Sequence, residues 1–145
     1  MPQPSVLNVT DVAKASLLAY NEKNFDKLRN ILTPNVVYNE YATGRTARGF
    51  DDVLSIWRGW AKAMPDSVAT LLREYASGTT AIFELEWNGT HTAPLQTPTG
   101  EIAPTGRKIK VRACQIVETR DDKVTSVNHY FDMATLLNQL GVVPK

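Results

Sequence analysis

The clearest change in the period of the hydrophobic pattern of this chain lies close to Pro65. Before that proline the apolar residues recur every three to four positions, which is the spacing of one face of an α-helix. The clearest such face consists of Val53, Ile56, Trp57, Trp60, Ala61 and Met64. After the proline the residues alternate, as in "AIFELEW" (81–87), which has the two-residue period of a strand. Helices followed by strands are typical of an α+β domain.

The remaining segments fit this order. Residues 9–20 and 24–32 have helical spacing, with Asn8 or Thr10 and then Asn24 as candidate N-caps. "VVYNEY" predicts a first strand, and the "ATGRTARG" that follows predicts a loop. Short turns, "ASGTT" and "TRDDK", predict antiparallel neighbours, and the proline-rich "TAPLQTPTGEIAPTGR" predicts an ordered irregular loop.

We therefore expect one domain over residues 1–145. In it, N-terminal helices pack on one face of a curved antiparallel sheet, and a short helix ends the chain. A cavity between helices and sheet is the expected place for a small-molecule site.

Charge and composition exclude several classes of protein. The 16 Lys and Arg nearly balance the 15 Asp and Glu and are scattered, which argues against a nucleic-acid or membrane-surface partner. No apolar run approaches the roughly 20 residues of a membrane helix, and the N-terminus lacks the build of a signal peptide, so we expect a cytoplasmic protein. The single cysteine, Cys114, excludes an internal disulfide.

The last strand carries the main candidate for chemistry. In "VNHYFDMATLLNQLG" (127–141), Val127, His129 and Phe131 share one face, and its apolar character predicts that it points inward. His129 would then lie in the cavity, where an imidazole is a natural acid or base near neutral pH. The alternative is a buried structural histidine. Asp132 is most simply the N-cap of the following helix.

Other candidates have structural alternatives too. Arg112 reaches the cavity mouth as an oxygen clamp, or it is a solvated exterior side chain. His91 lines the pocket rim, or it hydrogen-bonds the proline-rich loop. Tyr38 is a pocket donor or a core aromatic, and Trp60 and Phe131 complete the candidate substrate-binding set. No histidine or cysteine spacing indicates a metal site.

Three segments resemble the SnoaL-like polyketide cyclase family, also called ester cyclases, of the nuclear transport factor 2-like superfamily. They are "WNGTHTAP", "PTGR" and "FDMATLLNQLG". The resemblance covers essentially the whole chain. It implies a conical α+β barrel with a deep pocket, a homodimer formed through the sheet, and no metal or organic cofactor. It also implies that the acid/base aspartate of the family is replaced here by His129, with Arg112 at the position of the helper histidine.

Two functional hypotheses follow. The first is a cofactor-independent enzyme with cyclase-like or isomerase-like acid–base chemistry on a hydrophobic carbonyl compound. In it His129 moves a proton while Arg112, Tyr38 or His91 polarises an oxygen. The second is a non-catalytic ligand-binding or dimerisation module with the same fold.

Overall fold

The computed structural model describes residues 8–98 and 100–142. Its helices are α1 (Val9–Asn21), α2 (Phe25–Ile31), α3 (Phe50–Ala63) and α4 (Met133–Leu140). Its strands are β1 (Leu32–Glu40), β2 (Arg45–Arg48), β3 (Val68–Ser77), β4 (Thr80–Thr90), β5 (Leu95–Thr97), β6 (Gly100–Ile102), β7 (Lys108–Arg120) and β8 (Lys123–Phe131). No helix in these two ranges is both long and apolar enough to cross a membrane.

A six-stranded sheet, in the order β2-β1-β8-β7-β4-β3, forms the body of the described fold. The predicted α+β class is confirmed. One detail differs, because β1 pairs with β8 in parallel while the other neighbours are antiparallel, so the sheet is mixed. Most of the chain lies between β1 and β8, so no hairpin turn sets their relative direction.

Two segments that were predicted as loops contain short strands. β2 arises within "ATGRTARG" and pairs antiparallel with β1. In the proline-rich segment β5 and β6 form a separate two-stranded sheet. Runs of three or four residues among glycines and prolines are too short to show the two-residue alternation of a strand. Whether they form strands therefore depends on pairing with neighbours in the folded protein.

The predicted helix caps are confirmed. Asn8, rather than Thr10, caps α1, and the Asn24 side chain accepts a hydrogen bond from the backbone of Lys27 at the start of α2. Asp132 caps α4 by accepting hydrogen bonds from the backbone N–H (3.0 Å) and the hydroxyl (2.6 Å) of Thr135. β8 therefore passes directly into α4 with a cap between them.

The core lies between the inner face of the sheet and helices α1 and α3. On the inner face of β7 every second residue from Ile109 to Val117 is buried, whereas the other face carries the exposed Lys108, Lys110 and Arg112. Strand parity thus separates a cavity-facing set from an outer, charged set, and it decides which candidate residues reach the cavity.

Substitutions at two glycines should change the stability of the fold in opposite directions. A Cβ at Gly89 in β4 would lie 3.3 Å from Met64 and Ser67, so the branched side chain of Gly89→Val would crowd them and destabilise the fold by about 1–3 kcal/mol. Gly59 is exposed within α3 with nothing near its would-be Cβ, so Gly59→Ala stabilises by roughly 0.5–1 kcal/mol. Chemical denaturation of both variants measures this; equal effects would contradict the packing described.

Candidate active site

An apolar cavity of about 80 Å³ lies between α1, α3 and the inner face of the sheet. Six aromatic rings contribute to its wall, those of Tyr20, Tyr38, Trp57, Trp60, Trp87 and Phe131. Its polar lining consists of Ser16, Ser67, Gln115 and His129, together with the tyrosine hydroxyls. The cavity is smaller than the roughly 300–1,000 Å³ pockets that hold drug-sized ligands.

His129 projects from β8 into this wall and is 6% exposed. Its Nδ1 lies 2.8 Å from the Tyr38 hydroxyl, and its Nε2 accepts a hydrogen bond from Trp87 Nε1 at 3.1 Å. Burial lowers the pKa of His129 to about 4, although the nearby Glu40 carboxylate acts in the opposite direction. The imidazole is therefore neutral at physiological pH.

Behind His129 lies a carboxylate that is fully buried. Glu40 Oε2 accepts hydrogen bonds from the Tyr38 hydroxyl (2.8 Å) and from Trp60 Nε1 (2.9 Å). Its Oε1 accepts from the Thr43 hydroxyl (2.5 Å) and from Arg45 Nε (3.0 Å) and Nη2 (2.6 Å). Burial alone would raise the pKa of Glu40, but the Thr43 and Arg45 contacts outweigh it and lower that pKa.

Gln115 lies directly opposite His129 on the neighbouring strand β7 and faces the same cavity. Cross-strand partners on one face have their Cβ atoms about 4.5–5.5 Å apart. Its side-chain amide makes no hydrogen bond to any residue within 8–98 or 100–142, although the residue is only 8% exposed. Gln115 thus brings free hydrogen-bonding capacity into an apolar cavity, next to an imidazole.

Three of the predicted substrate-binding residues line the cavity. Tyr38 is 1% exposed, and burial together with the Glu40 carboxylate raises its pKa well above 10. Trp60 and Phe131 pack edge to face with their ring centres 5.7 Å apart. The structure therefore brings Tyr38, Trp60, Phe131 and His129 together.

Arg112 and His91 do not lie where the functional hypotheses needed them. Arg112 is on the outer face of β7, where its guanidinium lies 3.7 Å from Glu84 and 3.4 Å from Glu86, so the cavity clamp is corrected to a surface ion pair. His91 is buried outside the cavity lining. Its Nδ1 accepts a hydrogen bond from the Thr105 backbone. The predicted place at the pocket rim was therefore wrong, and His91 has the alternative role of a hydrogen-bond partner to the proline-rich segment.

Sequence reasoning missed Glu40 and Gln115. Both continue an inward-facing alternation, Glu40 after Val36 and Tyr38 on β1, and Gln115 between Ala113 and Val117 on β7. A polar residue in phase with an apolar strand face is the signal that could have identified them. Within residues 8–98 and 100–142, no group of three or more His, Cys, Asp or Glu side chains could hold a metal ion.

A mixed sheet closed by N-terminal helices around an apolar cavity defines an α+β pocket protein with the ketosteroid isomerase-like fold. The chain belongs to the SnoaL-like polyketide cyclase family, whose model matches residues 10–140. None of the curated proteins matches this sequence.

Solved structures share the fold at low sequence identity. IdmH of Streptomyces antibioticus, a proposed polyketide cyclase, is 22% identical with a TM-score of 0.80, over 94% of this chain and 100% of its own. AclR of Streptomyces galilaeus, a proposed hydroxylase, is 18% identical with a TM-score of 0.79, over 97% and 89%. A Catenulispora acidiphila protein in complex with trimethylamine is 19% identical with a TM-score of 0.75, over 91% and 93%.

Burial of His129 predicts a loss of stability in acid. Because its pKa falls from 6.5 to about 4 on folding, the unfolded chain binds a proton between these pH values that the folded chain does not. Above pH 6.5 the histidine is neutral in both states and the free energy of unfolding has its full value. As the pH falls to 4, proton binding by the unfolded chain lowers that free energy by up to about 3 kcal/mol.

Denaturant unfolding at pH 7 and pH 4 measures that loss. We expect His129→Gln to lose less stability between the two pH values than the wild type does. Arg112→Gln, on the outer face, is the matched control and should follow the wild type. Equal losses in all three proteins would contradict the low pKa of His129.

Proposed function

We propose that this protein is an enzyme that removes a proton next to a carbonyl group of a small hydrophobic molecule, without a cofactor. His129 serves as the base and Gln115 as the hydrogen-bond donor to the carbonyl oxygen. The observation that carries the proposal is the juxtaposition of these two side chains on neighbouring strands, facing one apolar cavity. A base and an oxygen donor at adjacent positions are the minimum that enolisation requires.

The reaction begins with the carbonyl oxygen on the Gln115 amide N–H and the neighbouring C–H directed at His129 Nε2. The proton passes to Nε2, the C–H electron pair forms the enolate double bond, and the negative charge goes to the oxygen. In the free protein Trp87 Nε1 donates to the single lone pair of Nε2, so this hydrogen bond has to break as the substrate binds and before the proton moves. The freed indole N–H would then become a second donor to the oxygen. Return of the proton at another atom gives an isomerase, and attack of the enolate carbon on a second carbonyl gives a cyclase.

The low pKa of His129 favours substrates with acidic C–H bonds. A base with a pKa of about 4 is a weak proton acceptor, so the proton it removes must already be activated. A carbon between two carbonyl groups meets that condition far better than one beside a single ketone. We therefore propose 1,3-dicarbonyl compounds as the substrate class, and the cavity volume favours small ones.

Deuterium exchange tests this proposal even though the physiological substrate is not identified. In D₂O we expect the protein to accelerate exchange of the C2 hydrogens of the β-keto ester ethyl acetoacetate, which stays protonated on carbon at neutral pH, more than exchange of the α-hydrogens of cyclohexanone, as followed by proton NMR. His129→Gln should lower the catalysed rate by about 10²–10⁴-fold, the usual contribution of a general base. Gln115→Leu, which is similar in size but cannot donate, should also lower it.

Arg112→Gln is the control, because it changes a polar side chain of the same strand on the opposite face. It should exchange at the wild-type rate. A His129→Gln variant that is as active as the wild type would refute the assignment of the base.

A ligand-binding module is the second candidate, and the aromatic lining favours it. Six rings around a small cavity resemble the cages that hold alkylammonium ions through cation–π contacts, and the Catenulispora acidiphila protein was solved with trimethylamine. Against it stands the charge balance, since the nearby Glu40 carboxylate is already paired with Arg45. We therefore expect a neutral ligand to be preferred.

Calorimetric binding of choline and of its neutral isostere 3,3-dimethyl-1-butanol separates the two candidates. The enzyme proposal predicts no preference for choline. Tighter binding of choline, together with absence of deuterium exchange, would favour the binding module. A homodimer and a cytoplasmic location stay predictions from the sequence.

A further inference from the structure

The protonation of His129 can be derived from both ends of its hydrogen-bond chain. At one end, the Trp87 indole N–H can only donate, so Nε2 must be an acceptor without a proton. At the other end, the Glu40 carboxylate is ionised and can only accept, so the Tyr38 hydroxyl must donate its proton to Glu40. Both constraints act on the same ring.

The second constraint reaches His129 through Tyr38. Because the hydroxyl proton is directed at Glu40, the oxygen presents a lone pair to Nδ1, 2.8 Å away, and Nδ1 must carry the imidazole proton. The two ends therefore agree on one neutral tautomer. It has the proton on Nδ1 and the basic lone pair on Nε2.

We propose that Glu40 is the positioning residue of this site: through the Tyr38 hydroxyl it holds His129 in the tautomer whose basic nitrogen is Nε2. Glu40 is absent from the cavity lining and touches no ligand position, so it acts only through Tyr38. The catalytic meaning of this inference rests on the proposed function, whereas the tautomer itself does not.

The surroundings of Glu40 explain why the donors and acceptors in the Glu40–Tyr38–His129 hydrogen-bond chain cannot exchange roles. Its five hydrogen bonds come from Tyr38, Thr43, Arg45 and Trp60, and all of these side chains act as donors. A Tyr38 hydroxyl turned towards His129 would leave Oε2 with one donor fewer in a site without water contact. The Arg45 charge, which is part of the same cluster, keeps the carboxylate ionised.

The same chain would stabilise the product of proton transfer. When Nε2 takes a proton, the imidazolium keeps its Nδ1–H on the Tyr38 oxygen, and the Tyr38 proton stays directed at Glu40. No proton has to move along the chain. The carboxylate therefore orients His129 before the transfer and favours the cation afterwards, as an acidic residue behind a catalytic histidine does.

Nitrogen-15 NMR of the imidazole rings tests the inference, and the second histidine of the protein serves as an internal reference. His91 accepts the Thr105 N–H at Nδ1, so it should have the opposite tautomer, with its proton on Nε2. In the wild type at pH 7 we expect an unprotonated Nε2 on His129 and an unprotonated Nδ1 on His91. A protonated Nε2 on neutral His129 would overturn the proposal without any activity measurement.

Variants identify Glu40 as the cause. Glu40→Gln has one carbonyl acceptor for several donors and allows the Tyr38 hydroxyl to reverse. The Nε2–H tautomer of His129 should then become populated, with loss of the Trp87 hydrogen bond to Nε2, while His91 stays unchanged. Tyr38→Phe keeps the carboxylate but removes the link, and should have the same effect even if Glu40→Gln does not fold. If His129 keeps its tautomer in a folded variant of either kind, Trp87 alone fixes it and Glu40 is not the positioning residue.

The kinetic readout separates this inference from the proposed function. If the exchange reaction occurs, Glu40→Gln should lower kcat at least tenfold with little change in KM, because the wrong tautomer presents no base and the cavity is untouched; direct neutralisation of such a carboxylate costs about 10⁴-fold. Glu86→Gln on the outer face is the control. A tautomer shift without wild-type exchange activity would refute the enzyme and retain the positioning role.

Discussion

The buried Glu40 carboxylate is the interaction on which the arrangement of this site depends. A charge without solvent is tolerated only when its hydrogen bonds are complete, and removal of one partner from such a pair costs about 3–5 kcal/mol. Its donors come from β1, from the turn that follows, from β2 and from α3. One anion therefore fixes the short edge strand and a long helix against the parallel β1–β8 pair.

This anion also decides where a ligand can bind. Glu40, His129 and Gln115 are register partners across β1, β8 and β7, and form a row on the inner face of the sheet. Hydrogen bonding is saturated at the Glu40 end, shared with Tyr38 and Trp87 at His129, and free at Gln115. A ligand oxygen therefore has its best partner at the β7 end of the row, which is why we place the carbonyl there.

Sequence periodicity predicted much of this fold and less of its site. Long elements such as α3 and β7 repeat their pattern over several turns or pairs, and the role of Asp132 follows from its place before a short apolar helix. The β1–β8 pairing joins segments far apart in sequence, so no local signal contains it. The cavity role of Arg112 was predicted from its chemistry, although the alternation of its strand places it on the outer face. The alternation of their strands places Glu40 and Gln115 on the inner face, where a search for apolar residues does not find them.

The weakness of His129 as a base and the burial of Glu40 are two consequences of one arrangement. The apolar wall that excludes water lowers the pKa of His129, so the imidazole is unprotonated at neutral pH but binds a proton poorly. Moving the carboxylate into direct contact would strengthen the base and also raise the population of imidazolium at rest. A tyrosine between the two keeps the orientation and weakens the charge interaction, which suits the acidic carbon substrates that we propose, because a base for them need only be held neutral and correctly oriented.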